Sequence, residues 1–147
     1  MEVKLDLLGS DSLKKKLLAI AQKYGQPDQV SVTVGFTQRY AIYVHEVQAK
    51  HVVGQWKYLE TPARGMTRQT CRTIETALRR GAPMLQALML AGLGIQRAAQ
   101  ILTPVDTSAL KASAFTCPTQ DVESVSQAAF QTSEQIRLAQ QSTKPNP

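Results

Sequence analysis

Residues 82–102 are the most apolar long stretch of the chain, and they constrain the rest of it. Only Gln86, Gln96, Arg97 and Gln100 are strongly polar there. At about 100° per residue these four fall on one stripe of a helix. Met89, Leu90 and Leu93 fall on the same stripe. A lone small domain would leave the three apolar side chains partly wet, at roughly 1.5–3 kcal/mol for each large one. Two arrangements avoid this: a neighbouring subunit covers them, or their own chain does. Gly92 and Gly94 each cost about 1 kcal/mol of helix propensity relative to alanine. They would also let another backbone come close.

Pro104 ends this helix, because it cannot continue one and it pushes Thr103 out of the helical region. Asp106 is expected as a cap, accepting from the amides of Ser108 or Ala109. Residues 109–117 alternate in part, with Leu110, Ala112 and Ala114 against Lys111 and Ser113, and predict a strand.

Upstream, residues 2–8 alternate as a half-buried strand, with Val3, Leu5 and Leu7 on one side. Gly9 ends it, and a helix follows with Leu13, Leu17, Ile20, Ala21 and Tyr24 inward, closed by Gly25 and Pro27. Residues 29–36 alternate through Val30, Val32, Val34 and Phe36. Residues 39–47 do so through Tyr40, Ile42 and Val44. Together they predict a hairpin turning at 35–38. Residues 48–62 lack periodicity and form a long connection, of the kind that is usually functional. Trp56 and Tyr58 in it are rigid amphipathic side chains suited to an interface or to folding back on the sheet. Residues 66–80 predict an amphipathic helix with Met66, Thr70, Ile74, Ala77 and Leu78 inward and Arg64, Arg68, Arg72, Glu75 and Arg79 outward. Gly81 ends it and Pro83 suits the start of the next.

After Pro118 the composition shifts to Gln, Ser and Thr, with weak helical spacing through Val122, Val125, Ala129 and Ile136. Two units follow: a domain over 1–118 and a polar C-terminal arm or tail over 119–147. The arm is expected to order against a neighbouring chain, with Val122, Val125, Phe130 and Ile136 as anchors.

The chain has 147 residues and a net charge of +6, enough length to bury a real core. Between Arg39 and Arg80 eight Lys or Arg face three Glu. That surface favours acidic partners, protein or nucleic acid, unless it is simply solvated. No signal peptide is expected, since no long apolar run follows the N-terminal charges. The apolar run at 87–95 is too short to span a bilayer. Cys71 and Cys117 have no metal spacing and are expected as reduced thiols, with a disulfide between them left open.

Chemistry-bearing motifs are thin. Ser108 and Lys111 match an SxxK pattern, and so do Ser12 and Lys15. Neither SDN nor KTG accompanies them, so a structural turn is the better reading. His45 and His51 have no ligand spacing, and His45 is expected at a surface or interface. No glycine-rich loop leads from a strand into a helix. No enzyme, cofactor or metal is expected. Arg68, Arg72 and Arg79 could track phosphates, but no nucleic-acid module is visible and aromatic residues are few.

Taken in order, these segments resemble a known family. They are Val34-Gly35-Phe36, Tyr40-Ala41-Ile42-Tyr43-Val44-His45-Glu46, Pro62-Ala63-Arg64 opening a helix, and Pro104-Val105-Asp106-Thr107-Ser108-Ala109-Leu110-Lys111-Ala112-Ser113 closing the long one. They are similar to the YAxYVEFG-like, PARPF-like and PVDTGALRxS-like segments of tailed-bacteriophage neck and minor tail proteins, the tail-completion or tail-terminator group. Val47-Gln48 stands where Phe-Gly is usual, Gly65-Met66 where Pro-Phe is, and Ser108 where Gly is. The resemblance covers residues 1–116. It implies an α+β subunit, a small antiparallel or mixed sheet packed on two to three helices, with the C-terminal arm beyond. It further implies a homo-oligomeric ring, a hexamer, in the neck of a virion, made in the bacterial host cytoplasm. The ring would join head connector to tail and touch other neck, connector or tail-tube proteins. Genomic double-stranded DNA would pass through its lumen without sequence recognition, and no membrane is involved. Trp56, Tyr58, Met89, Leu90 and Leu93 are then the expected subunit interface, and Arg64, Arg68, Arg72 and Arg79 a basic face toward acidic protein. The alternative is a basic cytoplasmic DNA-binding accessory protein. A hydrolase built on Ser108 and Lys111 is a weaker third.

Overall fold

The computed structural model describes residues 30–48, 54–104 and 108–143. The strand expected over 2–8, the helix after it, His51, the Asp106 cap and residues 144–147 lie outside them. The described elements are β1 (Val32–Phe36), α1 (Ala41–Glu46), α2 (Glu60–Gly65), α3 (Thr67–Arg79), α4 (Met84–Leu102), α5 (Ala109–Ala112), β2 (Ala114–Pro118), a 3-10 turn (Thr119–Asp121) and α6 (Val122–Ser142). The fold is a small, mostly helical α+β arrangement built on an antiparallel two-stranded ribbon. Among the described residues no helix is long and apolar enough to cross a membrane.

The ribbon pairs distant segments. Val32 faces Pro118, Val34 faces Thr116 and Phe36 faces Ala114. Alternation turns Val32, Val34 and Phe36 to the side where α4 packs. A Cβ on Gly92 would stand 2.8 Å from Thr116 Cγ2 and 3.3 Å from Val32 Cγ1 and Val34 Cγ2. Gly92 therefore lets α4 sit down on the ribbon of its own chain, whereas a Cβ on Gly94 would meet nothing within 4 Å among the described residues. Two apolar clusters result. Phe36, Tyr58, Leu59, Ile95, Ala99 and Leu110 belong to the one against the ribbon. Ile74, Leu78, Ala87 and Ala91 hold α3 to α4. Of the five inward residues expected of α3, Thr70, Ile74 and Leu78 are buried and Met66 and Ala77 are half-buried.

Three expectations change. The hairpin over 29–47 does not form: β1 takes β2 as its partner, and residues 41–46 are helical. Counting Tyr40, the run is apolar at alternate positions (Tyr40, Ile42, Val44) and also at i, i+3 and i+4 (Tyr40, Tyr43, Val44), so a window this short fits either period. Tertiary contact selects the helix. Ala41 and His45 point inward one turn apart, and Tyr58 Oη donates to the Ala41 carbonyl at 2.8 Å. The strand expected over 109–117 is helical at first and extended only from Ala114. Ser108 takes a left-handed backbone (φ 59°). Ala112 and Ser113 then donate to the carbonyls of Ser108 and Ala109. The connection expected over 48–62 gives way to α2 from Glu60. Gly54 (φ 87°) packs where any Cβ would strike the Thr103–Pro104 backbone at 2.5–2.6 Å. There Gln55 N–H caps α4 by donating to the Leu102 carbonyl at 2.9 Å.

Within the polar C-terminal segment, Val122–Ser142 form the helix α6. It lies along β2 and α5, yet Ser133 is its one buried side chain. Its attachment is largely polar. Gln38, buried after β1, donates from Nε2 to Ser133 Oγ at 2.8 Å and to Glu134 Oε1 at 3.0 Å. The Arg39 guanidinium lies over the Phe130 ring at 5.8 Å. Arg137, then Gln38, hold the Glu134 carboxyl below its ordinary range.

Candidate assembly surface

The outer side of α4 is set by its inner side. Ala87, Ala91, Gly92, Ile95 and Ala99 face α3 and the ribbon, which leaves Gln86, Leu90, Leu93, Arg97 and Ile101 outward at helical spacing. Leu90 and Leu93 are each 46 % exposed and Ile101 is 69 % exposed. Met89 beside them is half-buried. Of the expected interface residues of this helix, Leu90 and Leu93 are therefore left exposed by the described chain and Met89 is half-covered. Gln96 and Gln100, expected on the same stripe, turn inward to Thr116 and to the Lys111 carbonyl.

The other two expected interface residues divide. Tyr58 is wholly buried. Its ring meets Phe36 and His45 edge-on at 5.0 and 5.1 Å, and burial pushes its phenol well above the ordinary value. It is a core residue, because the turn before α2 folds back on α1. Trp56 is half-buried, with the Lys57 ammonium 5.8 Å from its ring centre.

The basic face is present and unevenly engaged. Arg64 pairs with Glu60 at 2.9 Å and Arg79 with Glu75 at 2.7 Å. Arg68 and Arg72 are both exposed and have no ion pair among the described residues. Arg80, at the end of α3, joins Arg72 in lining an open groove of about 710 Å³ between α3 and the start of α4. Gln69, Gln86 and Leu90 line it too. Arg80, counted in the basic stretch, is not on the basic face expected from the sequence, because at about 100° per residue it falls about 80° away from Arg72; its place beside the Gly81 turn is the available signal.

A polar cluster is also new. His45, expected at a surface or interface, is buried within its own chain. Its Nε2 accepts from the Glu60 amide at 3.3 Å, so Nδ1 carries the proton and donates to Glu46 Oε1 at 2.6 Å. Lys57, in a left-handed backbone (φ 56°), reaches Glu46 at 2.6 Å and Glu60 at 3.0 Å. That ammonium, then His45, holds the Glu46 carboxyl below its ordinary value, and Lys57 does the same to Glu60. One ligand atom from each of His45, Glu46 and Glu60 falls within 4.8 Å of the others. Lys57 already satisfies both carboxylates, so the arrangement reads as a staple between α1 and α2. At the SxxK positions, Ser108 heads the α5 turn and Lys111 is exposed.

Comparison with protein-family models, with curated proteins and with solved structures returned no match.

Proposed function

We propose that this protein is a structural subunit of a tailed-bacteriophage virion, of the neck or tail-completion kind its motifs resemble, and that it assembles into a ring between head connector and tail. The observation that carries the assembly is the uncovered apolar stripe of α4, Leu90, Leu93 and Ile101. An apolar row on a rigid helix seated on its own sheet is suited to a neighbour's surface. The phage assignment itself rests on the motif resemblance, and the uncovered stripe fits it. Light scattering or native mass spectrometry of the purified protein tests the reading. A discrete oligomer is expected, and Leu90→Glu with Leu93→Glu reduces it to folded monomer. A wild-type protein that stays monomeric at every concentration overturns the proposal.

A second reading, a basic DNA-binding accessory protein, draws on Arg68 and Arg72, which no carboxylate engages among the described residues. Duplex DNA binding in the micromolar range or tighter, steeply weakened by salt and lost in Arg68→Ala with Arg72→Ala, would favour it.

A further inference from the structure

The groove between α3 and α4 has a charge pattern that the rest of the chain complements. Arg72 and Arg80 line it and have no ion pair among the described residues. Eight residues apart, they are separated by about 12 Å along the α3 direction, close to the width of one helix with its side chains. The wall between them is mixed: Gln69 and Gln86 offer amides, and Pro83 and Leu90 offer apolar surface.

Among the described residues, few carboxylates could answer these arginines. Glu46, Glu60, Glu75 and Glu134 all pair with cations. Asp121 and Glu123 are the described carboxylates without an ion pair, and both are exposed. They sit where the 3-10 turn enters α6, with Val122 and Val125 beside them. Within one chain the two features are kept apart. The groove opens on the side of α4 away from the ribbon, whereas α6 packs on β2 and α5 and makes no comparable contact with the α3–α4 hairpin.

We infer that the groove of one copy receives the start of α6 from a second copy. Asp121 and Glu123 lie between Arg72 and Arg80, and Val122 or Val125 lies on Leu90 and Pro83. The contact is heterologous, using two different patches of the same chain, so its repetition closes into a ring when the rotation allows. It rests on the self-assembly proposed above and specifies which surfaces meet. It also covers Leu90, the first residue of the exposed stripe, and gives the C-terminal helix a partner beyond its own sheet. Bare phosphate would use the two arginines but not the apolar wall.

Charge reversal tests this in the full-length protein, with circular dichroism checking that each variant is folded. Arg72→Glu with Arg80→Glu should weaken self-association about tenfold or more. Asp121→Lys with Glu123→Lys should do the same, and Asp121→Asn with Glu123→Gln should weaken it less while preserving the helix start. Combining the two reversals in one chain should restore association to within a few-fold of wild type. If wild type assembles but the reversals leave association unchanged, this pairing is wrong and the ring reading stands. If each reversal weakens assembly and the combination does not recover it, the two patches do not meet. A monomeric wild type sinks both proposals.

Discussion

Alanine at Gly92 and at Gly94 should push stability in opposite directions, although the two glycines are two residues apart in α4. Both substitutions gain the same helix propensity, about 1 kcal/mol. They differ in what the new methyl meets. At Gly94 it meets nothing within 4 Å among the described residues, so the gain survives. At Gly92 it would stand 2.8 Å from Thr116 Cγ2. Thr116 cannot easily turn away, since its hydroxyl donates to Gln96 Oε1 at 2.6 Å. Overpacking of this kind costs about 1–3 kcal/mol. Gly94→Ala should therefore stabilise by about 1 kcal/mol, and Gly92→Ala should be neutral to destabilising by about 2 kcal/mol. The difference between them isolates the steric cost, because propensity cancels. Urea unfolding at a concentration where the mass is constant reads it as opposed shifts of midpoint at unchanged slope. Thr116→Ser removes the offending methyl and should recover part of the Gly92→Ala loss, a coupling that a double-mutant cycle measures. Equal stabilisation by the two alanines would refute the close helix–ribbon contact. A Gly94→Ala protein that is more stable yet assembles less well would assign that open position to a neighbour's backbone.

Thr70→Val should stabilise by about 1 kcal/mol in thermal or urea unfolding, because the Thr70 hydroxyl is buried without a hydrogen-bond partner among the described residues. Gln38→Ala should cost about 1.5–3 kcal/mol, since one of its two lost bonds is to a carboxylate, and should raise amide hydrogen exchange in α6 more than in α3 or α4. Glu46 and Glu60 have folded pKa values below the ordinary 4.5. Their stabilisation is thus present above that value and is lost as the pH falls through the lowered ones. Lys57→Met should destabilise at neutral pH, and its gap to wild type should close on the acid side in a urea-midpoint series against pH. A gap that does not depend on pH would contradict the ion-paired staple.

The sequence by itself determined the long elements. Residues 66–80 and 82–102 carry helical spacing over several turns, with Gly81 and Pro83 punctuating them, and both form α3 and α4 within a residue or two. The alternation of Val32, Val34 and Phe36 likewise forms β1. Leu90 and Leu93, apolar residues on the polar stripe of α4, mark its outward face from spacing alone. Tertiary structure decided the rest, and the reason is range. A short run such as 40–46 satisfies both periods, so the Tyr58 hydroxyl and the pocket for His45 select between them. The partner of β1 lies some eighty residues away, and no local pattern encodes which distant strand completes a ribbon. Tyr58 and Trp56 look alike as aromatic residues in a long connection, yet the turn between them buries one and leaves the other half-exposed. The groove holding Arg72 and Arg80 exists only because α3 and α4 pack side by side, which sets two arginines, one within α3 and one at its end, around a common opening.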